Sequence, residues 1–176
     1  MAKKSAEQAH EDEMKILTEL QNNANENLDK IAKRCGFSRQ KVWRTIKQLE
    51  KRHMIWGYTA ITDKQMIGQN QFILLVKRTN KPLDKKIIDK IDSIDLEDTA
   101  FPFGVHIETS CFVHGTYDWI ISFTAKDLIQ ARKFCDLLVT EFPEAIQHYD
   151  LEQVLYCVRK HHVYNPSRKQ LEELMK

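Results

Sequence analysis

No apolar run in this chain approaches the roughly 18 residues that a membrane-spanning helix needs. The opening MAKKSAEQAHEDEMK carries basic residues with no apolar stretch behind them, which is not the make-up of a secretory signal. A cytoplasmic location is therefore the expectation, with no membrane partner. The four cysteines (Cys35, Cys111, Cys135, Cys157) form no C-x-x-C pair. Each sits in an apolar periodic stretch and reads as a buried thiol acting as a small hydrophobe. His161 and His162 follow Cys157 closely, but no second ligand pair at metal-site spacing accompanies them. They read as the solvated end of a strand, and no metal or other cofactor is expected. Net charge is lacking too: the formal balance is +2, which by itself says nothing about nucleic acid.

What the chain does have is an apolar fraction of 42% and a charged fraction of 30% over 176 residues. That composition describes a globular protein with a real core, as one ordinary domain or two small ones. The charge is also unevenly placed. Lys30, Lys33, Arg34, Arg39, Lys41, Arg44, Lys47, Lys51 and Arg52 lie close together in sequence, and the only acid between Lys30 and Arg52 is Glu50. Such clustering is the footprint of phosphate contacts, although lysine-rich solvated faces look similar.

The stretch AKRCGFSRQKVWRTIKQLE, residues 32–50, gives that charge a shape. It reads as the end of one helix, a turn at Gly36 and a second helix capped by Ser38. Val42, Ile46 and Leu49 form an inward stripe, and at about 100° per residue Gln40, Arg44, Lys47 and Lys51 fall opposite. A helix of that kind suits the major groove of DNA. Upstream, residues 1–10 read as frayed. A helix is expected from Asp12, with Met14, Leu17 and Leu20 on one side and Ile16 adjoining. Asparagines around Ala24 interrupt it, and Asn27 caps a short helix of residues 28–34 whose inward face is Leu28, Ile31 and Ala32. Phe37 fills the corner between the helices. Residues 54–62, MIWGYTAIT, read as a strand leaving this unit.

The second half yields, in order, a strand (FILLVK, residues 72–77), a helix, two strands, a helix and a strand. The first helix opens near Pro82 and carries Leu83, Ile87, Ile88, Ile91 and Ile94. Residues 95–105 read as a loop. The second helix carries Leu128, Ala131, Cys135, Leu138 and Phe142, and residues 146–158 form a long last strand. This is the split βαβ order of a ferredoxin-like fold. Its helices cover one sheet face, so the apolar run of the first strand implies cover on the other face, and a second copy of the chain fits. The expected organisation is α+β: residues 1–62 a winged-type helix-turn-helix domain with a linking strand, 63–70 a hinge, 71–162 a ferredoxin-like sensing and dimerisation domain, and 163–176 a tail with a short polar helix.

These residues resemble the Lrp/AsnC, or feast/famine, transcription regulators. The matching words are KILTELQNNA (residues 15–24), IAKRCGFSRQKVWRTIKQLE (31–50) and MIWGYTAIT, with Gly115-Thr116-Tyr117-Asp118 in the second half. The resemblance covers roughly residues 10 to 160. It implies a dimer formed by the C-terminal sheets, assembled in some members into tetramers or octamers, with two helix-turn-helix units on a roughly palindromic site of double-stranded DNA. It also implies an amino-acid effector bound near Gly115, Tyr117 and Asp118. Three departures stand out: His53 where the family has glycine, a longer segment at 95–105, and an added tail after His161.

At residue level, Ser38 leaves its backbone N–H groups available to a phosphate. Arg39, Gln40, Lys41 and Arg44 occupy the part of the helix that reaches base edges; Lys47 and Lys51 suit phosphates. Trp43 is open between packing and a DNA contact. Asp118 either receives an effector's amino group or bonds the turn backbone. Three functions remain open: a sequence-specific regulator, an architectural DNA-compacting protein, and an enzyme resembling sirohaem decarboxylases that would use His106 or His114. The regulator reading assigns no catalytic residue.

Overall fold

The computed structural model describes residues 6–167. They fall into two compact units, one holding the chain through Ile61 together with Val158–Ser167, the other beginning at Thr62 and running to Cys157. The boundary expected between residues 162 and 163 thus lies between Cys157 and Val158.

Three helices build the first unit: α1 (Ala6–Asn22), α2 (Leu28–Cys35) and α3 (Arg39–Lys51). The expected fraying to residue 10 is corrected, because α1 already runs from Ala6 and buries Asp12 one turn before Ile16. Ile16, not the Met14–Leu17 side, is the fully buried centre of that helix, with Leu20 one turn on. Ile31 and Ala32 of α2 and Val42 and Ile46 of α3 close the core around it, and Leu28, Cys35, Phe37 and Ile55 pack on its rim. Asn27 accepts from the Asp29 N–H at 2.8 Å. Gly36 takes the left-handed conformation at φ 70°, with Phe37 N–H bonded to Ala32 O and Gly36 N–H to Lys33 O. This paired closure ends α2 and swings the chain sharply into α3.

Residues 54–62 are not a strand. Their composition favours extended backbone, but a strand exists only against a partner, and no strand among the described residues pairs with them. They run as an open segment with Trp56 95% exposed. The unit's short two-stranded sheet lies elsewhere, as β5 (Arg159–Lys160) and β6 (Val163–Tyr164).

The second unit begins with a 3-10 turn, Gln65–Ile67, inside the expected hinge. Its sheet holds β1 (Asn70–Arg78), β2 (His106–Phe112), β3 (Trp119–Ala125) and β4 (Ile146–Val154) in the order β2-β3-β1-β4. Neighbouring strands are antiparallel throughout, the ferredoxin-like pattern. The pleat sends Phe72, Leu74 and Val76 of β1 to one face, opposite Phe123, Ile121 and Trp119 of β3. That face packs on α6 (Leu128–Glu141) through Ala131, Phe134, Cys135 and Leu138. Phe134, which the periodic reading passes over, meets Phe123 edge-on at 5.1 Å, whereas Leu128 stays half exposed. Helix α4 (Lys85–Ser93) starts after its cap Asp84, not at Pro82. The expected loop at 95–105 is largely helical: α5 (Leu96–Ala100), capped by Asp95, and a 3-10 turn, Phe101–Phe103. The last strand stops at Val154 and does not reach Val158. The helix expected in the tail lies mostly outside the described residues.

On the opposite sheet face, Ile73, Leu75, Ile120 and Val154 are half-buried within a single chain. Gln71 donates from Nε2 to Glu108 and to Ser122 Oγ, both at 3.0 Å, and Lys64 reaches Glu108 at 2.9 Å. Cys111 is exposed there opposite Ile120, so it is not the buried thiol expected; Cys35 and Cys157 are half-buried, and Cys135 alone is enclosed. Burial pushes the Cys135 thiol up to about 12.

Candidate nucleic-acid interface

Ser38 caps α3 as expected, its Oγ accepting from the Lys41 N–H at 3.2 Å. Val42, Thr45, Ile46 and Leu49 are buried, and this fixes which way the helix faces. Gln40, Trp43, Arg44, Lys47, Gln48 and Lys51 consequently form its exposed side. Trp43, open between two roles on spacing alone, is 53% exposed on that side and does not wedge into the core.

The fold redistributes the basic cluster that looks so one-sided in sequence. Arg34 pairs with Glu19 and Glu26, Lys30 with Glu26, and Arg52 with Glu13 at 2.7 Å. Arg39 lies 3.7 Å from Asp29, both well exposed. Lys47 reaches Glu50 at 2.7 Å and holds that carboxyl below the usual carboxylate range; Tyr58 adds a second hydrogen bond to it. Against this, Arg44 and Lys51 take part in no ion pair among the described residues. Of the cluster's three cations without an ion pair among the described residues, Arg44 and Lys51 stand on the outward face of α3 and Lys33 on α2.

Lys41 departs from its expected place. Its ammonium turns inward to Asp12, 2.5 Å away and 7% exposed at the side chain, and lies 3.3 Å from the centre of the Phe37 ring. A carboxylate buried in the three-helix core needs a partner, and Lys41 supplies it. The geometry makes Lys41 a clamp between α1 and α3, a role that spacing alone does not reveal. The signal that points to it is Asp12, an acid on the inward side of an amphipathic helix.

In the second unit, of the residues expected at an effector site Asp118 lines a cavity, whereas Gly115 and Tyr117 do not. Asp118 accepts from the Arg78 backbone N–H and from Lys77 Nζ, each at 3.0 Å. The Arg78 N–H, followed by Lys77, holds its carboxyl below the usual range. Tyr117 instead donates to Asp150 at 2.6 Å. Gly115 is an exposed turn residue. Asp118 does line a cavity of about 320 Å³ walled by Leu83, Ile91, Trp119 and Phe142, with Arg78 at its side. An apolar chamber with a few polar groups is the usual form of a small-molecule site.

His106 and His114 sit at or beyond opposite ends of β2, which at roughly 3.3 Å per residue places them about 20 Å or more apart. They do not form a joint site. His106 Nδ1 lies 3.1 Å from Glu97 at the surface. No group of three or more His, Cys, Asp and Glu side chains among the described residues is placed to hold a metal ion. No helix there is long and apolar enough to cross a membrane.

The first unit and the sheet thus define an α+β protein with a helix-turn-helix and a ferredoxin-like domain. Residues 13–55 match the family model of winged helix-turn-helix DNA-binding domains. No curated protein matches the chain. Its structural neighbours are Lrp/AsnC (feast/famine) transcription regulators, and it has their fold. Among the similar solved structures, PH0061 is 20% identical, with 93% of this chain and 100% of that one covered and a TM-score of 0.67. The transcriptional regulator NMB0573 of Neisseria meningitidis, solved with L-Met, is 17% identical over 90% and 97%, with a TM-score of 0.64. An AsnC family regulator of Agrobacterium tumefaciens is 16% identical over 88% and 95%, with a TM-score of 0.65.

Proposed function

We propose that this chain is a sequence-specific DNA-binding transcription regulator of the Lrp/AsnC type, acting in the cytoplasm as a homo-oligomer built on a dimer. The observation that carries the reading is the outward face of α3, where Arg44 and Lys51 stand without acidic partners beside Gln40 and Trp43 on a Ser38-capped helix. Arg44 and Gln40 are the base-reading pair, Arg toward guanine and Gln toward adenine. Lys47, Lys51, Arg39 and the N–H groups at Ser38 hold phosphates, and Trp43 supplies apolar contact to the groove. Lys41 supports this surface from behind.

The second unit serves assembly and sensing in this reading. The half-buried apolar centre of the open sheet face, Ile73, Leu75 and Ile120, is what a second copy would cover. The methionine bound to the Neisseria regulator supports an amino acid as effector. Here Asp118 would take the ammonium and the apolar cavity the side chain, with Gly115 and Tyr117 shaping the loop beside it.

Binding to a pool of genomic fragments at several salt concentrations, against random-sequence competitor, tests the reading. Recovery of a few fragments with affinity falling steeply as salt rises is the expected result. Uniform recovery would mean an architectural protein; no recovery at any salt would remove DNA from the account.

A further inference from the structure

Glu50 is the only acid in the basic stretch between Lys30 and Arg52, and it lies in the last turn of α3. An acid at a helix C-terminus opposes the helix dipole, so helix stability does not account for it. Its two carboxylate oxygens are divided between partners. Oε2 accepts from Lys47 Nζ at 2.7 Å, and Oε1 accepts from the Tyr58 hydroxyl at 3.1 Å. Lys47 stands one turn earlier on the exposed side of α3, and Tyr58 lies in the open segment that follows the helix. All three belong to the first unit. The Lys47 side chain is 54% exposed and that of Glu50 30%, so water reaches the pair and its partners can be exchanged. Burial, followed by the bond to Glu50, pushes the Tyr58 hydroxyl up, which keeps it a donor.

We propose that Glu50 tempers DNA affinity by competing with phosphate for the Lys47 ammonium, and that Tyr58 positions Glu50 by holding one of its oxygens out of that competition. The inference rests on the reading of α3 as the DNA-contacting helix and adds the groups that set how much of the Lys47 charge reaches a phosphate. An ammonium bound to a carboxylate must exchange that partner for a phosphate, so binding loses what the pair is worth. An exposed pair of this kind is worth about 1.4- to 5-fold in an equilibrium constant. The carboxylate also repels phosphates that come close to Lys47. Phosphate contacts carry no sequence information, so the tempering acts on every sequence alike. With Tyr58 in place Glu50 offers Lys47 one oxygen; without it, both oxygens can turn to the ammonium. Tyr58 is therefore a positioning residue, acting on DNA only through Glu50.

The test uses the full chain and a fragment recovered from the genomic pool. Glu50→Gln keeps an acceptor for Tyr58 and removes the charge. It should tighten binding to selected and random DNA alike, by about two- to fivefold. The dependence of log affinity on log salt should steepen by up to about 0.9, one more phosphate neutralised. Glu50→Ala should steepen it in the same way, and it stands in if Glu50→Gln does not fold. Tyr58→Phe should weaken binding about twofold and flatten the slope in the parent, yet change neither when combined with Glu50→Gln. Equal losses from Tyr58→Phe in both backgrounds would make Tyr58 merely structural and overturn its positioning role. Parental affinity and slope in a folded Glu50 variant would overturn the tempering while leaving α3 in place, provided Arg44→Ala still impairs binding. A parent protein that binds no DNA would overturn both together.

Discussion

Lys41 and Arg44 are three residues apart on one helix and have opposite roles. Lys41 points back to a carboxylate that the core has enclosed, and Arg44 points out with nothing to neutralise it. Removing Lys41 takes the ammonium away from a carboxylate enclosed by the core, and losing a charged partner there is costly. Because Lys41 is itself 31% exposed, solvent screening holds the loss to about 1–2 kcal/mol. Lys41→Ala should therefore lower Tm measurably, while Lys47→Ala, whose partner Glu50 lies at the surface, should stay within about 0.5 kcal/mol of the parent. Equal Tm values for the two would remove the clamp. The distinction was not legible in sequence. Helical spacing separates inward from outward positions, but a long lysine at the border can turn either way, and what decides it is an acid on another helix.

Among the elements, the helices were largely readable and the strands were readable only where a partner follows. Asn27, Gly36 and Ser38 act locally, on their own backbone, so sequence locates them well. Residues 54–62 failed as a strand because pairing is not a local property, and residues 95–105 gained helix through the Asp95 cap. The end of α3 shows a local rule under strain. The Met54 N–H bonds Leu49 O and the His53 N–H bonds Glu50 O, the closure that usually places glycine at the left-handed position. Here His53 holds φ 56°. His53→Gly should stabilise the first unit, by up to about 1 kcal/mol, read as a rise in Tm. A fall in Tm would mean that the imidazole makes a contact outweighing its backbone strain.

For the whole molecule, the ferredoxin-like order was legible because strand and helix periods alternate cleanly, whereas the return of Val158–Ser167 to the first unit was not, since nothing in a periodic pattern says where a chain end docks. The proposed assembly through the open sheet face has a chemical readout. Cys111 is exposed on that face, and Cys135 is enclosed with its thiol pushed up to about 12. A thiolate reagent at mild pH should leave Cys135 unlabelled. It should reach Cys111 fastest at dilutions where a dimer dissociates and slowly where the dimer persists. A Cys111 rate independent of concentration, across a transition seen by gel filtration, would place the dimer contact elsewhere.

The central claim is that the outward face of α3 reads DNA, and Arg44→Ala tests it most directly. The account predicts about tenfold or greater weakening of binding to a selected fragment, matching the loss of about 1–3 kcal/mol for one good base pairing, with discrimination relaxed at one base position and oligomeric state unchanged by gel filtration. Unaltered affinity and unaltered base preference in a folded Arg44→Ala protein would contradict it.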